Sequence, residues 1–106
     1  MAKKLKGETA ARLLAPAPED KAFFLVGGKV LCTEEDLARA FAEMSDEQFS
    51  SHHNHEKNDF YNWVSQVIGD SRLAHDLALA KTRETSRKKA EARVQMLKNI
   101  VNHHGN

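Results

Sequence analysis

With 106 residues, 41% apolar and 29% charged side chains and a net charge of +1, the chain is one domain's worth of sequence and lacks the low hydrophobicity and high net charge of disorder. No stretch approaches the ~20 apolar residues of a membrane span. Its single cysteine, Cys32, excludes an internal disulfide, which favours a reducing cytoplasm.

The opening Lys3-Lys4-Leu5-Lys6 is basic but is followed by no apolar run, so no signal peptide is expected. Residues 1–20 read as an N-terminal arm. Glu8–Leu14 has the length of a short helix, which Pro16-Ala17-Pro18 must end because proline removes a donor and disfavours helix at the residue before it. Residues 22–32 carry the strongest β signal, with Phe23–Val26 and Lys29–Cys32 flanking Gly27-Gly28 as the turn of a two-residue hairpin. Cys32 falls on the second strand, where a small core residue is expected rather than a reactive thiolate.

Thr33-Glu34-Glu35-Asp36 then opens a helix carrying Leu37, Ala40, Phe41 and Met44, and Ser45-Asp46-Glu47-Gln48 is a capping box for a shorter helix with Phe49. In Asn58–Ile68, Phe60, Trp63, Val64 and Val67 recur at i, i+3, i+4 and i+7, one stripe of a helix. Gly69 suits its C-terminal end, and Asp70 or Ser71 caps a helix bearing Leu73 and Leu77. Thr82–Lys89 holds no apolar residue, so the helix either runs through it solvated or breaks near Thr82 and restarts. Ala90, Val94, Leu97 and Val101 resume the seam, flanked by Met96 and Ile100, and the tail from Asn102 should fray. The expected fold is α+β but mainly α: a core over 21–81 in which the hairpin packs on four or five helices, then a long basic helix over 82–106.

Charge is unevenly spread. Residues 1–33 carry six basic and three acidic side chains, residues 34–76 three and ten, and residues 77–106 seven and two, giving +3, −7 and +5. An acidic middle between basic ends can be neutralised within the molecule or between subunits, which weakens the case for a dedicated polyanion face.

Three chemistries are open to these residues. His52, His55, Glu56 and Asp59 are metal-ligand types, and the pairs His52/Glu56 and His55/Asp59, four apart, would share a helix face. No His-Glu-x-x-His spacing is present, and outside the 52–59 cluster His75 is the only other internal histidine to complete a site. No cofactor is expected, a divalent ion being the one these types would hold, and solvated polar residues at a helix junction, with one or two histidines satisfied by hydrogen bonds, are the favoured explanation of the cluster. His53, Asn58 and Asp59 are further polar ligand-site candidates, Asn58 and Asp59 also serving as a helix cap. No nucleophile or oxyanion donor is marked, so no catalytic residue is assigned. Arg83, Arg87, Lys88, Lys89 and Arg93 would contact nucleic acid if the last helix bound phosphates. At ~100° per residue they form no single stripe, and no aromatic is interleaved for stacking on bases. Val94, Leu97, Ile100 and Val101 form an apolar patch for packing or for a twin subunit.

Lys21–Leu31, Met44–Glu47, Lys57–Val64 and Gly69-Asp70 together resemble a small prokaryotic domain family of uncharacterised function, over roughly residues 21–80. The resemblance implies no activity. The expected function is a non-enzymatic cytoplasmic interaction or regulatory module, homodimeric, with other proteins or nucleic acid as further partners and no membrane partner.

Overall fold

The computed structural model describes residues 5–104. It is the expected α+β, mainly α fold, with a two-stranded hairpin among six described α-helices. In the N-terminal arm, α1 (Gly7–Leu14) buries Ala10 and Leu13 against Leu97 of the last helix. A 3-10 turn (Glu19–Lys21) leads into β1 (Phe23–Phe24), which pairs antiparallel with β2 (Val30–Leu31). Cys32 lies just beyond β2, half-buried, with its N–H donating to Asp36.

Both capping signatures are realised. Thr33 Oγ1 accepts the Asp36 N–H at 2.9 Å while Asp36 returns a bond to the Thr33 N–H, starting α2 (Glu34–Glu43). Ser45 and Gln48 exchange the same pair of bonds at the start of α3 (Asp46–His52). Each box satisfies donors that a helix start leaves orphaned.

The hairpin turn sits one residue earlier than the Gly27-Gly28 pair suggests. Gly28 N–H donates to Leu25 O and Leu25 N–H to Lys29 O, so Val26 and Gly27 occupy the centre of the turn. A two-residue Gly27-Gly28 turn would pair Val26 with Lys29. Val26 is unavailable because both of its backbone groups are bonded to α3: its N–H donates to His52 Nε2 at 3.0 Å, and its carbonyl accepts from Gln48 Nε2 at 2.8 Å. Gly27 has φ +104°, which favours glycine, and a Cβ there would stand 2.9 Å from Gln48 Nε2 and displace the amide that bonds the Val26 carbonyl.

The stripe of 58–68 begins as expected. Asn58 Oδ1 accepts from the Tyr61 N–H at the start of α4 (Asp59–Trp63), and Phe60, Trp63 and Val64 are buried. The helix then widens to a π turn over Val64–Ile68, where the Val64 carbonyl accepts from both Gly69 and Asp70 N–H groups. The extra residue rotates Val67 and Ile68 to half-buried positions at the rim of the core. Asp70 caps α5 (Ser71–Leu79).

The chain breaks at Ala80–Thr82, and α6 (Arg83–His104) runs unbroken through the polar interval. Its helix continues into the tail through His104, and residues 105–106 lie outside the described region. α6 belongs to the core rather than standing apart. It packs on α1, α2 and α5, and Ser86, Ala90, Val94 and Leu97 are buried along it.

Three ionisable groups meet where α2, α5 and α6 converge. The Arg93 fork grips Asp70 through Nε and Nη2, both at 2.8 Å, while Asp70 Oδ1 also accepts the Leu73 N–H. Glu34, in the first turn of α2, is fully buried beside them, and as a carboxylate neither of its oxygens would have a donor. Burial, then a hydrogen bond to Asp70, push its carboxyl up to about 9. Glu34 is therefore protonated near neutrality, and its O–H has Asp70 as acceptor. Burial also pushes Asp70 up, but the Glu34 hydrogen bond and the Arg93 guanidinium outweigh it and hold Asp70 below the usual carboxylate range.

Candidate functional site

The polar lead-in to α4 divides into a structural half and an exposed half. Asn54 ends α3. Its Nδ2 donates back to Ser50 O, its Oδ1 accepts from Glu56 N–H, and its own N–H donates to Lys57 O. Residues 53–58 are therefore a tight loop closed by a His53–Asn58 bridge, and the four-apart pairs expected on one helix face are not on a helix. His55 and Glu56 are exposed in that loop, whereas His52 and Asp59 are brought together. Among the described residues, no group of three or more His, Cys, Asp or Glu is arranged to hold a metal ion.

Both ring nitrogens of His52 are in use. Nε2 accepts from Val26 N–H, so Nδ1 carries the hydrogen and donates to Asp59 Oδ2 at 2.9 Å. Burial alone would raise Asp59, but its bonds to His52 and to Lys57, 3.1 Å away, hold it low. His53 Nε2 lies 3.5 Å from Asn58 Nδ2, and the same Nδ2 donates to the Leu77 carbonyl at 3.1 Å. Burial, then the charge of Lys81, depress the His53 imidazole. Asn58 and Asp59 thus cap α4 and brace α3 and α5.

This network fixes the hairpin from behind. Phe23 stacks on Phe60 with ring centroids 5.2 Å apart, meets His52 at 4.9 Å and presents an edge to Trp63 at 5.8 Å. Trp63 Nε1–H donates to Lys21 O at 2.8 Å, anchoring the strand's approach. With Phe23 and Leu31 facing the core, alternation turns the paired Phe24 and Val30 outward, 65% and 49% exposed, and Val26 in the turn is 47% exposed. Two large apolar side chains share one face of the hairpin, with exposed Val26 at its tip. Sequence reading placed the hairpin but missed this face, because the turn register decides which residues point outward.

The basic residues of α6 are mostly occupied. Arg83 bonds Asp46 and the Phe41 carbonyl, Arg87 pairs with Glu84 and Glu91, and Arg93 is committed to Asp70. Among the described residues, Lys88 and Lys89 of that set form no ion pair. The acidic middle is likewise neutralised in part within the chain, as in Lys98–Glu35 and Lys29–Glu43.

The apolar patch of α6 is used for packing. Val94 and Leu97 are buried in the chain's own core, and half-buried Ile100 and Val101 rest against the cluster that α1 completes. Val94 and Leu97 therefore offer no surface to a twin helix.

No family model, curated protein or solved structure matches the chain. No described helix is long and apolar enough to cross a membrane.

Proposed function

We propose that this chain is a non-enzymatic interaction module of the reducing cytoplasm, and that it docks a short apolar segment of another protein on the outward face of its hairpin. One observation carries the reading: Phe24, Val26 and Val30 are exposed together on a hairpin whose other face, turn and approach are all tied down. Exposed apolar patches held rigidly serve binding, because little ordering entropy is lost when the partner arrives.

The size of the patch favours a short segment over a second copy. Three such side chains offer on the order of 300 Å², well below the ~800 Å² per partner of a standard interface. Docking is by the face rather than by strand addition at Val26, since α3 already bonds both backbone groups there.

A photoreactive residue at position 24, compared in living cells with one at exposed Leu79 on α5, tests the proposal. A discrete adduct with a second protein from position 24 and none from 79 supports it. Equal labelling from both positions, or an adduct of two copies of this chain, counts against it.

A further inference from the structure

A second surface lies along α5 and α6. An open trough of about 1100 Å³ runs between them, closed at one side by Leu5. Its floor is apolar: Ala92, Met96 and Ile100 follow at four-residue intervals on α6, a ridge of about two turns, with Met96 41% exposed. This row is distinct from the buried Ala90–Val94–Leu97 seam, so α6 carries one apolar row facing inward and another facing the trough.

The walls are cationic. Lys89 stands on the α6 side and forms no ion pair among the described residues. Arg72 stands on the α5 side, 3.6 Å from Asp76, the one acid lining the trough. Arg93 reaches it from below. Nε and Nη2 of Arg93 are held by Asp70; Nη1 has no partner among the described residues and is not fully buried, and Arg93 is among the residues that line the trough. A guanidinium already anchored by a carboxylate loses little freedom on meeting a second one.

We propose that this trough receives an amphipathic helix of a partner protein, apolar on one edge and bearing glutamate or aspartate beside it. The ridge spacing fits a helix laid lengthwise, whose i, i+3, i+4 and i+7 side chains would cover Ala92, Met96 and Ile100. Its flanking carboxylates would meet Lys89, Arg72 and the free edge of Arg93. Nucleic acid fits less well, because the floor is aliphatic and His103 is the one ring among the lining residues, where base stacking uses several.

The test uses the full chain and a synthetic helical peptide with leucines at that spacing and flanking glutamates. A lysine-for-glutamate version, a scrambled version and a single-stranded oligonucleotide serve as comparisons. Binding is read by fluorescence anisotropy, and the site by backbone amide shifts. The glutamate peptide should bind at least about tenfold more tightly than the other three. It should shift amides of α5 and α6 but not of the hairpin, and weaken as salt rises. Met96→Glu, with unchanged helical signal, should weaken binding about tenfold or more, and Lys89→Glu by several-fold. Phe24→Asp should leave it unchanged, which separates this site from the hairpin face. Equal binding of glutamate and lysine peptides, preference for the oligonucleotide, no binding of the glutamate peptide, or indifference to Met96→Glu would overturn the proposal.

Discussion

Glu34 and Asp70 face each other in the interior as a carboxylic acid and a carboxylate, hydrogen-bonded to one another, with the Arg93 fork closing the far side of Asp70. One proton therefore decides the net charge of the joint between α2, α5 and α6. The folded chain holds that proton up to about pH 9, while the unfolded chain releases it near the ordinary glutamate value of 4.5. The stability it contributes is full below 4.5 and falls as pH rises towards 9, by at most about 1.4 kcal/mol per pH unit for one proton. Glu34→Gln keeps a donor towards Asp70 and cannot ionise. Denaturant titrations across pH 5–9 should show the variant gaining on the native chain as pH rises; parallel curves would mean that Glu34 is ionised in the fold.

Arg93→Met should be among the most damaging single changes on α6. It leaves Asp70, 1% exposed, without its counter-charge in a dry site, and breaking one side of such a pair costs roughly 3–5 kcal/mol. Lys88→Met on the same helix removes an exposed cation and should change stability by less than about 0.5 kcal/mol. Thermal melts of the two variants give the comparison directly.

The two hairpin glycines should respond unequally. Gly27→Ala combines a positive φ with a Cβ pressed against Gln48 and should cost roughly 1–3 kcal/mol. Gly28→Ala has the same backbone penalty but nothing within 4 Å, so it should cost about 1 kcal/mol. Equal losses would show that Gln48 does not press on the turn.

His52→Ala removes the acceptor for Val26 N–H and the donor to Asp59 together. Leaving such groups unpaired costs about 1–3 kcal/mol. The loss should be local: amide exchange at Val26 should quicken more than at Leu73 or Leu97 in the cores of α5 and α6. A uniform rise across all helices would mean that His52 supports the whole fold rather than the hairpin tip.

Much of the architecture is legible in short sequence signals that act locally. Thr33 and Ser45 each cap the helix expected of them, Asn58 rather than Asn54 and Asp70 rather than Ser71 cap the next two, and Gly69 closes the 58–68 segment with a left-handed φ of +85°. Most of what escapes sequence reading is set by distant partners. The turn moves one residue because α3 claims Val26. The π turn over Val64–Ile68 is local, but the apolar spacing of the segment does not distinguish it from an α-helix. Glu34 and Arg93 look like solvated helix residues, and only the convergence of three helices encloses them around Asp70. His52 and Asp59 do come together, but across a loop rather than on a helix face, and the partner that fixes His52 is a backbone amide 26 residues away.

The hairpin face is tested most directly by the size at which the native chain travels in a cell extract, compared with a variant carrying Phe24→Asp and Val30→Asp. Both substituted side chains point to solvent, so the variant should keep its helical signal and cooperative melt. The native chain should migrate in a complex larger than the free chain, and the double variant should fall to the size of the free chain. An unchanged complex in a folded double variant would contradict the assignment of this face as the docking surface.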